Sequence, residues 1–454
     1  MFKNYPSGFT ALFCTEVCLN FSFYGLKSIF VLYALAQYGL NEKAAIGLFA
    51  TLMTLSYGLS ILGGWLADRF LGTKNSIIMG ALLFLGGLAL FGLKSLEFCM
   101  LSLALLSLGC GLYKPNLSAA VGQLYKDPQD PEKDKAYSTL YIAMNMGSFA
   151  GPVLSGYLYM MGAQIFSLYL FVILIGVMSL VWGWKERTPI ARREGNLFIF
   201  GCLPLLIGLL YFLIKYQTHM MGVLAVGSVL YLGRVYYKSP LQDKKNLLNV
   251  ILYIILFSLF CALFEQAGSS ILLFINKVVD RSVLGFEIPA SAYLSIEPVF
   301  VVMLSPLLIL YVKGEGLEKM MVGFLLTGLS FFILGLGCLF SAEKVSGLWV
   351  FSSILVQACS ELLVVPVGFS SVSKLSPKHL QGVMMSFWMM AIAYGHYMGG
   401  NLAGFSVSEG SSLPHYSAFF MSTGLLPCVI VGLVYLYFGM KKKGYAREAM
   451  RGFK

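Results

Sequence analysis

Residues 8–36 read GFTALFCTEVCLNFSFYGLKSIFVLYALA, an almost unbroken apolar run with two charges, Glu16 and Lys27. A hydrocarbon core roughly 30 Å thick is crossed by about 20 helical residues, so this run is long enough to span a bilayer. The two embedded charges mark it as a retained helix rather than a cleaved leader. Comparable runs follow at 44–67, 75–93, 97–122, 137–160, 164–184, 197–214, 218–237, 247–275, 290–312, 319–340, 347–369, 379–404 and 417–440, giving fourteen expected spans. The even count puts both termini on one side.

Composition supports the same class. Of 454 residues, 58% are hydrophobic, 15% aromatic and only 12% charged, against roughly 25% charged in soluble domains. That excludes an ordinary soluble enzyme and a disordered chain. Long unbroken runs also exclude an outer-membrane barrel, whose strands alternate over about ten residues. The net charge of +11 sits in short loops, so no nucleic-acid partner is expected. The nine Cys fall in or beside apolar segments without metal-ligand spacing and read as small buried hydrophobes. The expected fold class is an all-α polytopic membrane protein in contact with the lipid bilayer.

Basic residues set the expected orientation. With the N-terminus cytoplasmic, the inner segments hold 24 Lys and Arg and the outer loops 6, a strong positive-inside asymmetry. Basic linkers at 185–196 and 238–246 bracket the seventh and eighth spans. These spans read as a hairpin between two six-helix bundles, 1–184 and 247–440, with 185–246 as linkers plus hairpin and 441–454 as a basic cytoplasmic tail. The halves correspond faintly. Gly147 and Gly151 in one match Gly395 and Gly399 in the other, a spacing that lets helices approach closely. Repeated halves around a midplane site are the plan of many secondary transporters.

Six ionisable residues fall inside spans: Glu16, Lys27, Lys114, Glu265, Glu297 and Glu361. Each costs roughly 2.5–3.5 kcal/mol at mid-membrane on insertion scales, so they should pair or face a wet cavity. At about 1.5 Å per residue, Lys27 and Glu265 both lie near the outer face, about 28 and 27 Å from the inner starts of their spans. Lys114 and Glu361 lie deeper, about 26 and 21 Å below the outer starts of theirs. Two pairs linking the halves at different levels are expected. Two acids then remain without an embedded base, and each must hold a proton or await a cationic ligand. Glu297 is one such acid, about 10 Å below the outer face, with Pro298 beside it able to kink the helix. Tyr24, Tyr57 and Trp388 are amphipathic rings at the depth of the charges. His396 reads as a packing residue.

At these residues the sequence resembles the proton-coupled oligopeptide transporter family of the major facilitator superfamily. TEVCLNFSFYG (15–25) is similar to the first-helix signature, and GGWLADRFLGTK (63–74) to the superfamily loop motif, with Gly64, Asp68 and Arg69. GCGLYKPNLSAAVGQLY (109–125), YIAMNMGSFAGP (141–152), FEQAGSS (264–270), GFEIPAS (285–291), SELLVVPVGFSSVSKLSP (360–377) and GVMMSFW (382–388) extend the likeness through the chain. The fourteen spans resemble bacterial members, and loop 341–346 is too short for the extracellular domain of animal relatives.

The resemblance implies two six-helix bundles of major facilitator type plus the hairpin. It implies an alternating-access symporter in a bacterial inner membrane, with di- and tripeptides as cargo, protons as the driving ion and no other cofactor. A monomer is expected. Lys114 would hold the peptide carboxylate and couple to Glu361. Tyr24, Tyr57, Asn145 and Trp388 would line the pocket, and Lys27 with Glu265 would form an outer gate. Glu16 matches the first acid of the family's signature. Leu19 and Asn20 stand where that family has a second Glu and an Arg, and Glu297 stands where it has an Asn. Altered coupling or specificity is therefore expected, with Glu297 taking a proton or ligand role. The rival readings are a carrier of another small solute (an amino acid derivative or nitrate), a membrane-embedded enzyme, and a channel.

Overall fold

Each of the fourteen expected spans overlaps helix, and two of them, 247–275 and 290–312, each cover two helices. The structure, a computed structural model, describes residues 5–125, 131–162, 165–183, 197–283, 285–311, 316–377, 380–407 and 412–451. The first bundle holds α1 (Phe9–Tyr38), α2 (Glu42–Leu66), α3 (Gly72–Phe91), α4 (Leu96–Gln123), α5 (Pro131–Met160) and α6 (Ile165–Gly183). The hairpin is α7 (Leu197–Lys215) and α8 (Gln217–Lys238). The second bundle holds α9 (Leu241–Phe264), α10 (Ser270–Val278), α11 (Ala290–Tyr293), α12 (Ile296–Tyr311), α13 (Gly316–Leu339), α14 (Gly347–Leu375), α15 (Gln381–Ala403) and α16 (Leu413–Arg451). The strands are β1 (Val279–Asp280), β2 (Ser282–Val283), β3 (Phe286–Glu287) and β4 (Val345–Ser346). β1 pairs in parallel with β4, and β2 antiparallel with β3, all at one end of the bundle, hereafter the strand end. The basic linker 185–196 lies outside the described residues, as do Lys3, Lys126, Lys313, Lys378 and Lys454.

The chain is an all-α polytopic membrane protein. Among the described residues, seven helical stretches are long and apolar enough to cross a bilayer, and one of them, Glu42–Phe91, contains two expected spans. Exposed apolar side chains such as Met161, Leu205, Val229 and Leu433 face outward, as a hydrocarbon solvent permits.

Glycine seams hold each bundle together, and they repeat. A Cβ on Gly147 would lie 2.6 Å from the Val17 carbonyl oxygen, and Gly151 is as tight against Phe21, so α5 packs directly on the backbone of α1. In the second half a Cβ on Gly395 would lie 2.8 Å from the Ser258 carbonyl oxygen and one on Gly399 2.8 Å from that of Ala262, so α15 packs the same way on α9. Backbones brought this close gain dispersion contacts that larger residues would forbid.

Gly64 has open space around its Cα, and its neighbour Gly63 makes the close approach, against the Gly111 backbone of α4. Pro115 lacks the N–H that would close on that Gly111 carbonyl. Asn116 Nδ2 ties the same crossing by donating to the Leu112 oxygen at 2.7 Å and the Gly63 oxygen at 3.3 Å. The turn is made by Gly72, at φ 73°, a left-handed value without steric cost for glycine alone. Asp68 and Arg69 sit exposed on a π-helical turn, 67–71, between α2 and α3.

The hairpin bridges the two halves. α7 buries Leu210 and Ile214 on the side packed against α4. α8 reaches α15, where Ser228 and Tyr394 share a 2.7 Å hydrogen bond and Tyr231 stacks on Phe387 at 5.9 Å.

Candidate functional site

Between the bundles lies a cavity of about 250 Å³ lined from both halves. Tyr24, Lys27 and Tyr57 come from the first bundle, and Glu265, Glu297, Gln357, Glu361 and His396 from the second. A second cavity, about 1010 Å³, shares Glu361 and Val365 with it and runs past Ser371 to Lys319 and Lys374, away from the strand end.

Glu265 owes its place to a break in the helix. α9 stops at Phe264, residues 265–268 form one 3₁₀ turn, and α10 resumes at Ser270. Such a break frees backbone carbonyls, which need donors inside a membrane protein. Gln266 supplies one: its Nε2 donates to the Ala262 oxygen of α9 at 3.0 Å, and ties the break to α15 by donating to the Gly399 oxygen at 2.9 Å, while Ser270 donates to its Oε1 at 2.7 Å. The turn aims Glu265 across the cavity. Lys27 Nζ donates to its Oε2 at 3.0 Å, and His396 Nδ1 lies 3.0 Å from the same oxygen. Glu265 is 2% exposed, so its charge is compensated by the Lys27 ammonium rather than by water. The expected Lys27–Glu265 pair is made, and it closes the cavity toward the strand end. Glu42 and Lys277 make a further ion pair there.

His396 is the residue that sequence reading undervalued. Besides meeting Glu265, its ring stacks on Tyr57 with centroids 4.9 Å apart. The signal was present in the glycines: Gly395 and Gly399 lay this face of α15 on α9, the helix that leads into Glu265. Gln357 was also passed over. It lies one turn before Glu361 on α14, and so on the same face.

The expected Lys114–Glu361 pair is not made. Lys114 Nζ sits 3.4 Å from the centroid of Phe23 and 4.6 Å from that of Tyr57, with Tyr24 at 6.0 Å. Aromatic faces carry negative potential and can hold an ammonium without a carboxylate. Lys114 forms no ion pair among the described residues. The carboxylates within its electrostatic reach are Glu16 and Glu265. Glu16 in turn accepts from Asn20 Nδ2 at 2.9 Å, the amide standing where an arginine was expected. Glu361 instead meets Glu297, the two carboxyl groups within hydrogen-bond reach. Glu297 stands in the first turn of α12, so Pro298 sits where a helix tolerates proline and makes no kink.

Two expected lining residues lie elsewhere. Trp388 is 1% exposed and stacks on Phe257 at 3.8 Å, a core contact. Asn145, half-buried on α5, donates to the Tyr141 carbonyl oxygen at 2.8 Å and is not among the cavity's lining residues.

Two helical bundles, a polar cavity between them and a charge pair across its end define a membrane carrier of major facilitator type. The family profile described as POT family matches residues 74–207 and 211–419. The chain belongs to that family. It is 28% identical to dipeptide and tripeptide permease A of Escherichia coli (strain K12), over 95% of this chain and 92% of the relative. It is 29% identical to the permease of the same name from Salmonella typhimurium, over 95% and 91%. Among solved structures, a mutant peptide transporter POT in complex with alafosfalin is similar at 25% identity and TM-score 0.86, covering 97% of this chain and 96% of that one. The sulfate complex of peptide transporter POT is similar in fold, at TM-score 0.87 and 24% identity over the same shares of the two chains.

Proposed function

We propose that the protein carries di- and tripeptides or peptide-like solutes across a bacterial inner membrane by alternating access, driven by protons. Fourteen crossings with cytoplasmic termini and a monomeric carrier belong to the same reading. The observation that supports it best is the cavity, which draws a cation from one half and three carboxylates from the other, and which Lys27–Glu265 closes at one end only. A ligand with an ammonium and a carboxylate suits such a chamber. Its ammonium goes to Glu361, with Tyr24 and Tyr57 packing its stem. Lys114 takes the carboxylate once Tyr24 and Tyr57, which now screen it from the cavity, have moved aside. The cavity then opens to the other side when Lys27 and Glu265 part.

Proton coupling falls to acids of the second half. Leu19 and Asn20 leave the first helix with Glu16 alone. Glu265 has the His396 ring beside it, and Glu297 with Glu361 forms a pair in which two acceptors can share a hydrogen bond only if one is protonated.

The test is uptake into proteoliposomes under an imposed pH gradient, acid outside, with radiolabelled di- and tripeptides. Accumulation that collapses with a protonophore is expected. Accumulation of an amino acid derivative or nitrate with no peptide competition would overturn the choice of cargo, and uptake indifferent to the gradient would overturn the driving ion.

A further inference from the structure

The corner of the cavity formed by Glu297, Glu361 and Gln357 is short of positive charge. Glu297 enters from α12 and Glu361 from α14, and both line the same cavity with their carboxyl groups within hydrogen-bond reach of each other. The groups facing them from the packed elements are Lys27 and Tyr24 of α1, Tyr57 of α2, Tyr141 of α5, Glu265 and His396 of α15. The bases among these are Lys27 and His396, and Glu265 already engages both at 3.0 Å. Two carboxylates at this separation repel unless a cation or a proton comes between them.

A second observation, independent of the acids, shows what else the corner receives. Gln357 is 3% exposed and lines the same cavity, and its Nε2 has no hydrogen-bond partner among the described residues. A buried amide donor left without an acceptor costs about 1–3 kcal/mol. The enclosed Oε2 of Glu361 likewise lacks a donor. A donor that wants an acceptor therefore stands one turn from an acceptor that wants a donor, on one face of α14, with a second carboxylate opposite.

We propose that this corner is a subsite for a basic amino-acyl group: a carbonyl for Gln357 Nε2, and two cationic centres, ammonium or guanidinium, for Glu297 and Glu361. The inference rests on the reading of the cavity as a solute-binding chamber, and it specifies the class of solute. One ammonium, as in a neutral peptide, satisfies one carboxylate. A lysyl or arginyl residue satisfies both, because its side chain adds a second cation, an ammonium or a guanidinium, to the α-ammonium. Glu297 is then the residue that selects cargo, and the corner explains why an acid can persist there without a protein base.

Binding to the purified carrier, by calorimetry with lysinamide against alaninamide and Lys-Ala against Ala-Ala, tests this. The lysine-bearing member of each pair should bind about tenfold tighter, the effect of one further charge-assisted hydrogen bond. In Glu297→Gln that ratio should fall to within about twofold, with the unfolding temperature reporting that the variant is folded. Gln357→Leu should weaken lysinamide but not 1,5-diaminopentane, which has both charges and no carbonyl. Equal affinity within each pair in the native protein, or a ratio that survives Glu297→Gln, overturns the subsite. Lysinamide binding with no uptake of any peptide would leave the corner standing and sink peptide transport. Uptake of neutral peptides with no lysine advantage would sink the corner alone.

Discussion

Glu265 and Trp388 are two buried residues whose roles differ. Glu265 is held by Lys27 and His396, and breaking one side of a buried ion pair costs about 3–5 kcal/mol, while removing both sides is often near neutral. Lys27→Ala should therefore lower the unfolding temperature and abolish driven uptake. Lys27→Ala with Glu265→Leu should restore the temperature without restoring uptake. Restored uptake in the double variant would mean the pair is only structural. Trp388→Ala should cost about 3–5 kcal/mol, the range for emptying an aromatic site in a core, because its ring fills the space beside Phe257 and Gly368. Ligand affinity measured in Trp388→Phe should be unchanged within twofold. The charge residues were partly legible in the sequence. Depth along a helix placed Lys27 and Glu265 at one level, and the structure joins them. Depth gives no azimuth, however, so Lys114 was matched with Glu361 when three rings lay nearer. Trp388 was expected in the pocket only through the family resemblance, and its stacking on Phe257 puts it in the core instead.

At the scale of elements, helix positions were legible because hydrophobic length is their cause. Every expected span overlaps helix. The interruption at 265–268 was not legible as a break: apolar residues flank Glu265 and Gln266 on both sides within the run 247–275, and the break is sustained by Gln266 bonding to carbonyls on two helices. The loop glycines could not be ranked either, since adjacent positions share composition and differ only in what faces them. That difference is testable. Gly63→Ala would drive a methyl into the Gly111 backbone and should prevent accumulation of folded carrier, scored as loss of the monodisperse peak in detergent. Gly64→Ala meets open space and should change stability by no more than about 1 kcal/mol. Similar behaviour of the two variants would contradict the close crossing of α2 and α4.

In the whole molecule, contacts between the halves cluster at the strand end. Lys27–Glu265, Glu42–Lys277 and the 3.2 Å bond from Ser291 to the Pro152 oxygen hold it shut, while the larger cavity runs to the opposite end. Cysteines at 42 and 277 should crosslink under mild oxidant, stop uptake, and release it on reduction. Uptake that continues through the crosslinked state, verified by mass, would mean this end never opens. Among the described residues the hairpin contributes none to either cavity's lining, so deleting 197–238 with a short joining linker should lower yield but leave the order of substrate preference unchanged. A changed order in a folded deletion would place the hairpin on the pathway.

The paired glycine seams, α1 with α5 and α9 with α15, also bear on how such a chain can change over generations. The seams carry the architecture by backbone contact, and none of their glycines lines the smaller cavity. Positions facing that cavity are thus free to be exchanged without dismantling the bundles. Glu297, which lines the cavity from the second bundle, is a position of this kind, whereas Leu19 and Asn20 on α1 are buried, with Asn20 packed against Gly147 in the seam itself. The scaffold supplies continuity and the cavity supplies variation, so a lineage can alter its diet by substituting single residues while inheriting the same machine.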